Sequence, residues 1–252
     1  MNGPIRAIDN HVNLLWERIR QMEGECPFNG KPYPEGMAPF PGKLTGQGFF
    51  PGGDGLWRDD TELTAPSKSP MPIGGIMFLG NDFGTLQSYE TTLTRGYENP
   101  PTWRNLKQRL AKTDIPGNVG FYTNAILGLR TTNKALDSMN WNGHRAFAAF
   151  CREFLEFRIE TMKPRLIVVL GPKPKDAVCA DLPQPIIPSL AKWTARDLNA
   201  MSEDEAVQQG NWRGLRLTFM LTSHPYSDLG KTEAGKAEDA RRLAKAWRVA
   251  QG

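Results

Sequence analysis

The chain has 252 residues, 39% hydrophobic and 23% charged, with 31 Lys and Arg against 27 Asp and Glu for a formal net charge of +4. That length and apolar content predict a folded globular chain with a real core, and the small positive charge permits an anionic partner without demanding one. No stretch of about 18 apolar residues is present, which argues against a membrane-spanning helix. The opening MNGPIRAIDN lacks the apolar core of an export signal, so a cytoplasmic protein is expected. The three cysteines, Cys26, Cys151 and Cys179, form no CxxC pair, so neither a disulfide framework nor a zinc or iron–sulfur cage is expected.

Residues 5–22 place Val12, Leu15, Trp16 and Ile19 on one face and predict an amphipathic helix. Residues 24–75 hold 9 Pro and 11 Gly, too many for regular elements. The aromatics inside that segment, Phe28, Tyr33, Phe40, Phe49, Phe50 and Trp57, suggest that it packs on the body. From residue 73 a regular rhythm sets in. IGGIMFLG (73–80) reads as a buried strand, Trp103, Leu106 and Leu110 mark a helix, and VGFYTNA (119–125) is a second strand. Phe147, Phe150, Phe154 and Phe157 have spacings of 3, 4 and 3, the buried stripe of another helix. RLIVVLG (165–171) is a third strand, a helix is expected near 189–199, and LRLTFMLT (215–222) is a fourth strand. A helix over 232–250 closes the chain; its Lys231, Lys236, Arg241, Arg242, Lys245 and Arg248, mixed with Glu233, Glu238 and Asp239, favour a solvated face over a DNA-binding stripe. Strands alternating with helices predict a single α/β domain, a three-layer α/β/α sandwich around a parallel sheet of about four strands.

In open parallel α/β sheets, ligands bind beyond the carboxyl ends of the strands. The four predicted strands are followed by GNDFGT (80–85), by Asn124, by GPKPK (171–175) and by SHPYSD (223–228). Asp82, Asn124 and His224 are therefore expected at one sheet edge. Each has an ordinary explanation taken singly. An Asp between strand and helix is commonly a helix N-cap, an Asn commonly satisfies loop backbone, and a lone His is commonly structural. The three together point to a site.

Taken in order, these motifs resemble the uracil-DNA glycosylase superfamily over residues 73–250. GNDFG is similar to its first motif, NPPTWRNLKQRL (99–110) to its Pro-Pro-Ser loop and following helix, and FYTNAILGLR (121–130) to the strand whose Asn reads the pyrimidine. GPK stands where the family has a Gly-Ser loop, and SHPYSDLG (223–230) resembles the His-Pro-Ser intercalation loop. The chain departs from the archetypal members at Gly84, where they carry a Tyr against the pyrimidine C5, at Phe83 in place of Pro, and at Tyr226 in place of Ser. Gly84 is shared with the single-strand-selective, mismatch-specific and thermophilic branches, but the cluster cysteines of the last are absent.

The resemblance implies a DNA glycosylase that flips a base out and hydrolyses its N-glycosidic bond. Asp82 would stabilise the sugar cation and orient water, and His224 would hydrogen-bond the pyrimidine O2 as charge grows there. Asn124 would match the O4/N3–H edge of uracil, with Asn81, Phe83 and Gly84 completing the pocket. Tyr97 is the expected stacking aromatic, with Tyr89 or Phe83 as alternatives. Pro100, Pro101, Thr102, Gly171, Lys173, Ser223, Ser227 and Lys231 would contact phosphates, and Leu229 would wedge into the vacated stack. With no lysine at the sugar position, water attack without a Schiff base is expected, by a monomer with no metal or cofactor. Two other readings stay open: a glycosylase for a 5-substituted or hypermodified pyrimidine, acting in defence against modified phage DNA, and a non-catalytic DNA-binding module on the same fold.

Overall fold

A computed structural model describes residues 14–15, 17–23, 33–39, 73–95, 101–116, 119–132, 145–174, 195–225, 227 and 232–252. The chain divides into two compact units interleaved in sequence. Unit 1 comprises Met1–Met71, Asp82–Glu98 and Asn124–Thr161; unit 2 comprises Pro72–Asn81, Asn99–Thr123 and Met162–Gly252.

In unit 1, the short strands β1 (Met37–Ala38) and β4 (Leu129–Arg130) pair antiparallel. Helix α1 (Leu86–Arg95) is an element the composition did not announce, because its Ser and Thr content hides the spacing of Leu86, Tyr89 and Leu93. Helix α3 (Arg145–Met162) buries Phe147, Phe150 and Phe154 as its stripe requires, with Phe157 half-buried. Tyr33, from the Pro/Gly-rich segment, is 7% exposed and packs its ring 5.7 Å from Phe147 and 5.8 Å from Phe150. The other aromatics of that segment, and Val12 and Trp16 of the N-terminal helix, lie outside the described residues; Leu15 and Ile19 of that helix are buried.

Unit 2 carries the main sheet, strand order β3-β2-β5-β7-β6. Its strands are β2 (Ile76–Gly80), β3 (Gly120–Asn124, whose last residue falls in unit 1), β5 (Leu166–Leu170), β6 (Val207–Trp212) and β7 (Leu215–Thr222). β2, β5 and β7 are parallel neighbours, with Ile76 opposite Leu166 and Leu166 opposite Thr218. Every residue of β2, β3 and β5 is buried, which is why β2 and β5 read as continuous apolar runs. The expected four-stranded parallel sheet is corrected to a five-stranded mixed one. β6 runs antiparallel to β7 through a two-residue turn, Arg213–Gly214, at φ 48° and 81°. In VQQGNW only Val207 and Trp212 are apolar, so this polar edge strand gave no hydrophobic signal.

Helix α2 (Pro101–Leu110) starts with Pro at the first helical position, where its missing N–H costs nothing. Its buried face is Asn105, Leu106 and Arg109, whereas Leu110 is only half-buried. The short helix α4 (Ala195–Ala200) overlaps the end of the expected 189–199 helix. Helix α5 (Glu233–Gln251) packs on β5, β7 and α2. Thr232 caps it, its Oγ1 accepting from Gly235 N at 3.0 Å. The reading of α5 as a solvated charged face is corrected at three positions. Lys236, Asp239 and Arg242 are buried with Ala240, Leu243 and Ala246, and Arg242 donates to the Met201 carbonyl at 2.8 Å. No helix among the described residues is long and apolar enough to cross a membrane.

Candidate active site

β2 ends at Gly80 and passes the chain to Asn81, Asp82, Phe83 and Gly84. Asp82 Oδ1 accepts from Gly84 N at 2.9 Å, closing a side-chain turn two residues wide. The cap of α1 is Thr85, whose Oγ1 accepts from Ser88 N at 3.0 Å. Asp82 is thus not an N-cap, and the commonest structural role for an acid at this place does not apply. Arg130 Nε lies 3.3 Å from the same Oδ1, the two side chains being 17% and 18% exposed. The main chain reinforces the tie: Arg130 N donates to Gly84 O at 2.9 Å, and Thr85 bridges Arg130 in parallel. A Cβ at Gly84 would meet nothing within 4 Å, but φ is 85°, so a side chain there has room and pays backbone strain. Phe83 is 2% exposed and Tyr89 4%, so both alternative stacking rings are packed into the protein. Tyr97 lies outside the described residues.

Asn124 is the last residue of β3 and 1% exposed. Its carbonyl accepts from Arg158 Nη1 at 3.0 Å. Arg158 is wholly buried on α3, its Nε donating to Phe154 O at 3.3 Å and its guanidinium 4.8 Å from the Phe154 ring centre. Burial pushes this guanidinium down to about 9, and Cys151 opposes that shift. Cys151 is pushed up to about 12, mainly by burial, and its sulfur accepts from Leu127 N at 3.4 Å; it is an inert thiol.

In unit 2, β7 ends at Thr222, followed by Ser223, the half-buried His224 and Pro225. Every residue flanking His224 is bonded. Arg109 Nη1 donates to Thr222 Oγ1 at 3.0 Å and to Ser223 O at 2.9 Å, and Nη2 to Ser223 Oγ at 3.2 Å. Asn105 Nδ2 donates to Pro225 O at 2.8 Å. The His224 carbonyl accepts from Ser227 N at 2.8 Å and Ser227 Oγ at 2.7 Å. Asp239 completes the cluster, 2.9 Å from Arg109 Nη1 and accepting from Ser223 Oγ at 2.7 Å. Burial lowers the Arg109 guanidinium and the Asp239 charge opposes that shift.

Gly171, directly after β5, faces this loop. Its φ is 85°, its N donates to Thr222 O at 2.9 Å, and a Cβ on it would stand 2.9 Å from the His224 Cβ. Both the left-handed backbone and the close approach demand glycine.

Among the expected phosphate contacts, Lys173 is exposed and Thr102 half-exposed in the first turn of α2. The Ser223 and Ser227 hydroxyls are engaged inside the protein, with Asp239 and His224 O respectively, and Ser223 is 6% exposed. Pro101 begins α2; Pro100, Leu229 and Lys231 lie outside the described residues. Sequence reading missed Arg109, Arg130, Arg158 and Asp239. One signal was present: Asp239 falls in the apolar stripe of Ala240, Leu243 and Ala246, where a carboxylate needs a buried partner. Among the described residues, no group of three or more His, Cys, Asp or Glu is placed to hold a metal ion. No protein-family model matches the chain, and no curated protein matches it, so function is read from the chain's own residues.

Proposed function

We propose that the chain is a monofunctional DNA glycosylase that flips a uracil-type base out of DNA and hydrolyses its N-glycosidic bond, leaving an abasic site for base-excision repair. It would work on a three-layer α/β/α scaffold, as a cytoplasmic monomer without metal or cofactor. One observation carries the reading. Strands β2, β3 and β7 of one sheet hand over at their carboxyl ends to Asp82, Asn124 and His224, and the cap of the helix after Asp82 is Thr85, with Asp82 itself held by Gly84 N and Arg130.

As the bond between the sugar C1′ and the base nitrogen breaks, its electron pair leaves with the base. The Asp82 carboxylate stabilises the sugar cation and orients the water whose oxygen joins C1′; that water gives up one proton to solvent, and the released base anion takes one up. His224 donates a hydrogen bond to the pyrimidine O2. Asn124 pairs with the O4/N3–H edge, and since it is 1% exposed, a base must first displace what covers it. The test is incubation with labelled oligonucleotides carrying uracil, 5-hydroxymethyluracil, mismatched thymine or glucosylated bases, followed by detection of abasic sites. No abasic product from any of them sinks the proposal. Binding to undamaged DNA should weaken steeply with salt; a flat response argues for a small-molecule substrate.

The open space at Gly84 favours a second reading, in which the substrate is a 5-substituted pyrimidine. Gly84→Tyr should then keep activity on uracil and lose it on 5-hydroxymethyluracil. An unchanged ratio of single-turnover rates means that residue 84 does not face C5.

A further inference from the structure

The α2–α5 cluster contains an ion pair that the proposed chemistry does not use. Arg109 and Asp239 are 2% and 4% exposed, so solvent contributes little to satisfying either charge. A fold that needed only to join two helices would do as well with apolar residues, because buried ion pairs are poor sources of stability. What distinguishes this pair is where its hydrogen bonds go. Arg109 reaches Thr222 Oγ1, Ser223 O and Ser223 Oγ, and Asp239 accepts a hydrogen bond from the Ser223 hydroxyl. Asn105, one turn earlier on α2, holds Pro225 O on the other side of His224. Gly171 meets the His224 Cβ from β5. His224 itself is the one residue between 222 and 225 whose side chain stays half-exposed.

We propose that Arg109 and Asp239 are positioning residues for His224: the planar guanidinium fork fixes the Thr222 side chain together with the main chain and hydroxyl of Ser223, and so sets where the imidazole points. The proposal rests on the reading of His224 as the group that hydrogen-bonds the leaving base. A fork is required because one ammonium cannot hold three acceptors in a fixed plane. Arg109→Lys therefore keeps the charge opposite Asp239 and loses the geometry.

The test compares Arg109→Lys with Arg242→Lys, a second buried arginine in the same unit whose bonds run to Leu198, Met201 and Glu238. Single-turnover base release should fall about tenfold or more in Arg109→Lys with DNA affinity nearly unchanged, the mark of a lost transition-state interaction. In a His224→Ala background the same substitution should change the rate by less than about twofold, since residues acting through one another are not additive. Histidine-ring NMR signals of His224, assigned by their loss in His224→Ala, should move in Arg109→Lys, while those of His11 and His144 stay. Arg242→Lys should leave both rate and His224 signals in place. Asp239→Asn, which keeps an acceptor for Ser223, stands in if Arg109→Lys does not fold. Equal rate losses with and without His224, or unmoved His224 signals, overturn the proposal. If no oligonucleotide yields an abasic site, the glycosylase reading fails separately, and the NMR comparison still decides whether the fork positions His224.

Discussion

Two loops carry the proposed chemistry, and an arginine anchors each by a different physical route. The Asp82 loop of unit 1 is tied by Arg130 at 3.3 Å, with both side chains nearly a fifth exposed. The 222–225 loop of unit 2 is tied by Arg109, which with Asp239 is almost wholly buried. Partial solvation screens the first pair, so it contributes on the order of 0–1 kcal/mol. The second has little water to fall back on, and losing one partner leaves a buried charge that costs about 3–5 kcal/mol. The first anchor is in contact with water and can exchange its ion pair for hydration; the second cannot.

The largest effect expected from this contrast is on stability. Asp239→Ala should lower unfolding free energy by about 3–5 kcal/mol, read from urea denaturation, because Arg109 is left without its counter-charge and Ser223 without its acceptor. A loss below about 1 kcal/mol would mean that water reaches Arg109, and the contrast with Arg130 would disappear.

Next come the two residues that the loops present. Asp82→Asn and His224→Ala should each slow base release about 10²–10³-fold while leaving DNA binding measurable. Near-normal single-turnover rates in both variants would remove them from the mechanism and leave two well-anchored loops without chemistry.

Gly171→Ala should fall below these. The left-handed backbone costs a β-carbon about 1–2 kcal/mol, and the new atom must also push the His224 Cβ from 2.9 Å. The variant should be destabilised by a similar amount and should slow base release, because the displaced group is His224 itself. A stable variant with a full rate would show that the loop gives way freely, against the rigidity argued for unit 2.

The part of this legible in the sequence is the part written in apolar periodicity. Strands are present within 73–80, 119–125, 165–171 and 215–222; IMFLG and LIVVL are buried throughout and continuously apolar, whereas GFYTN and LRLTFMLT carry polar residues among apolar ones and were still recognisable from their apolar majority. β6 was invisible for the converse reason: an edge strand reading VQQGNW carries polar residues on its open side. The motif residues Asp82, Asn124, Gly171 and His224 were legible because they interrupt apolar runs at strand ends. Their anchors were not. Arg109 looks like an ordinary helix-surface charge in RNLKQRL, and Asp239 in AEDARRL, although it falls in line with Ala240, Leu243 and Ala246, gives no sign of which cation it meets; only the three-dimensional pairing supplies that.

The smallest expected effect tests the weaker anchor. Arg130→Gln removes a cation from beside Asp82 but leaves much of what holds that loop. Gly84 N still donates to Asp82 Oδ1, Arg130 N donates to Gly84 O through the main chain, and the bridge between Thr85 and residue 130 is independent of the side chain. The carboxylate, 18% exposed, can recover hydrogen bonds from water where the guanidinium stood. The stability loss should therefore stay within about 1 kcal/mol, and raising salt should weaken the wild-type pair toward the variant. Denaturant midpoints of both proteins at low and high salt measure this directly. A loss as large as that of Asp239→Ala, unaffected by salt, would show that Arg130 is as desolvated as Arg109, and the two loops would then be anchored by one mechanism rather than two.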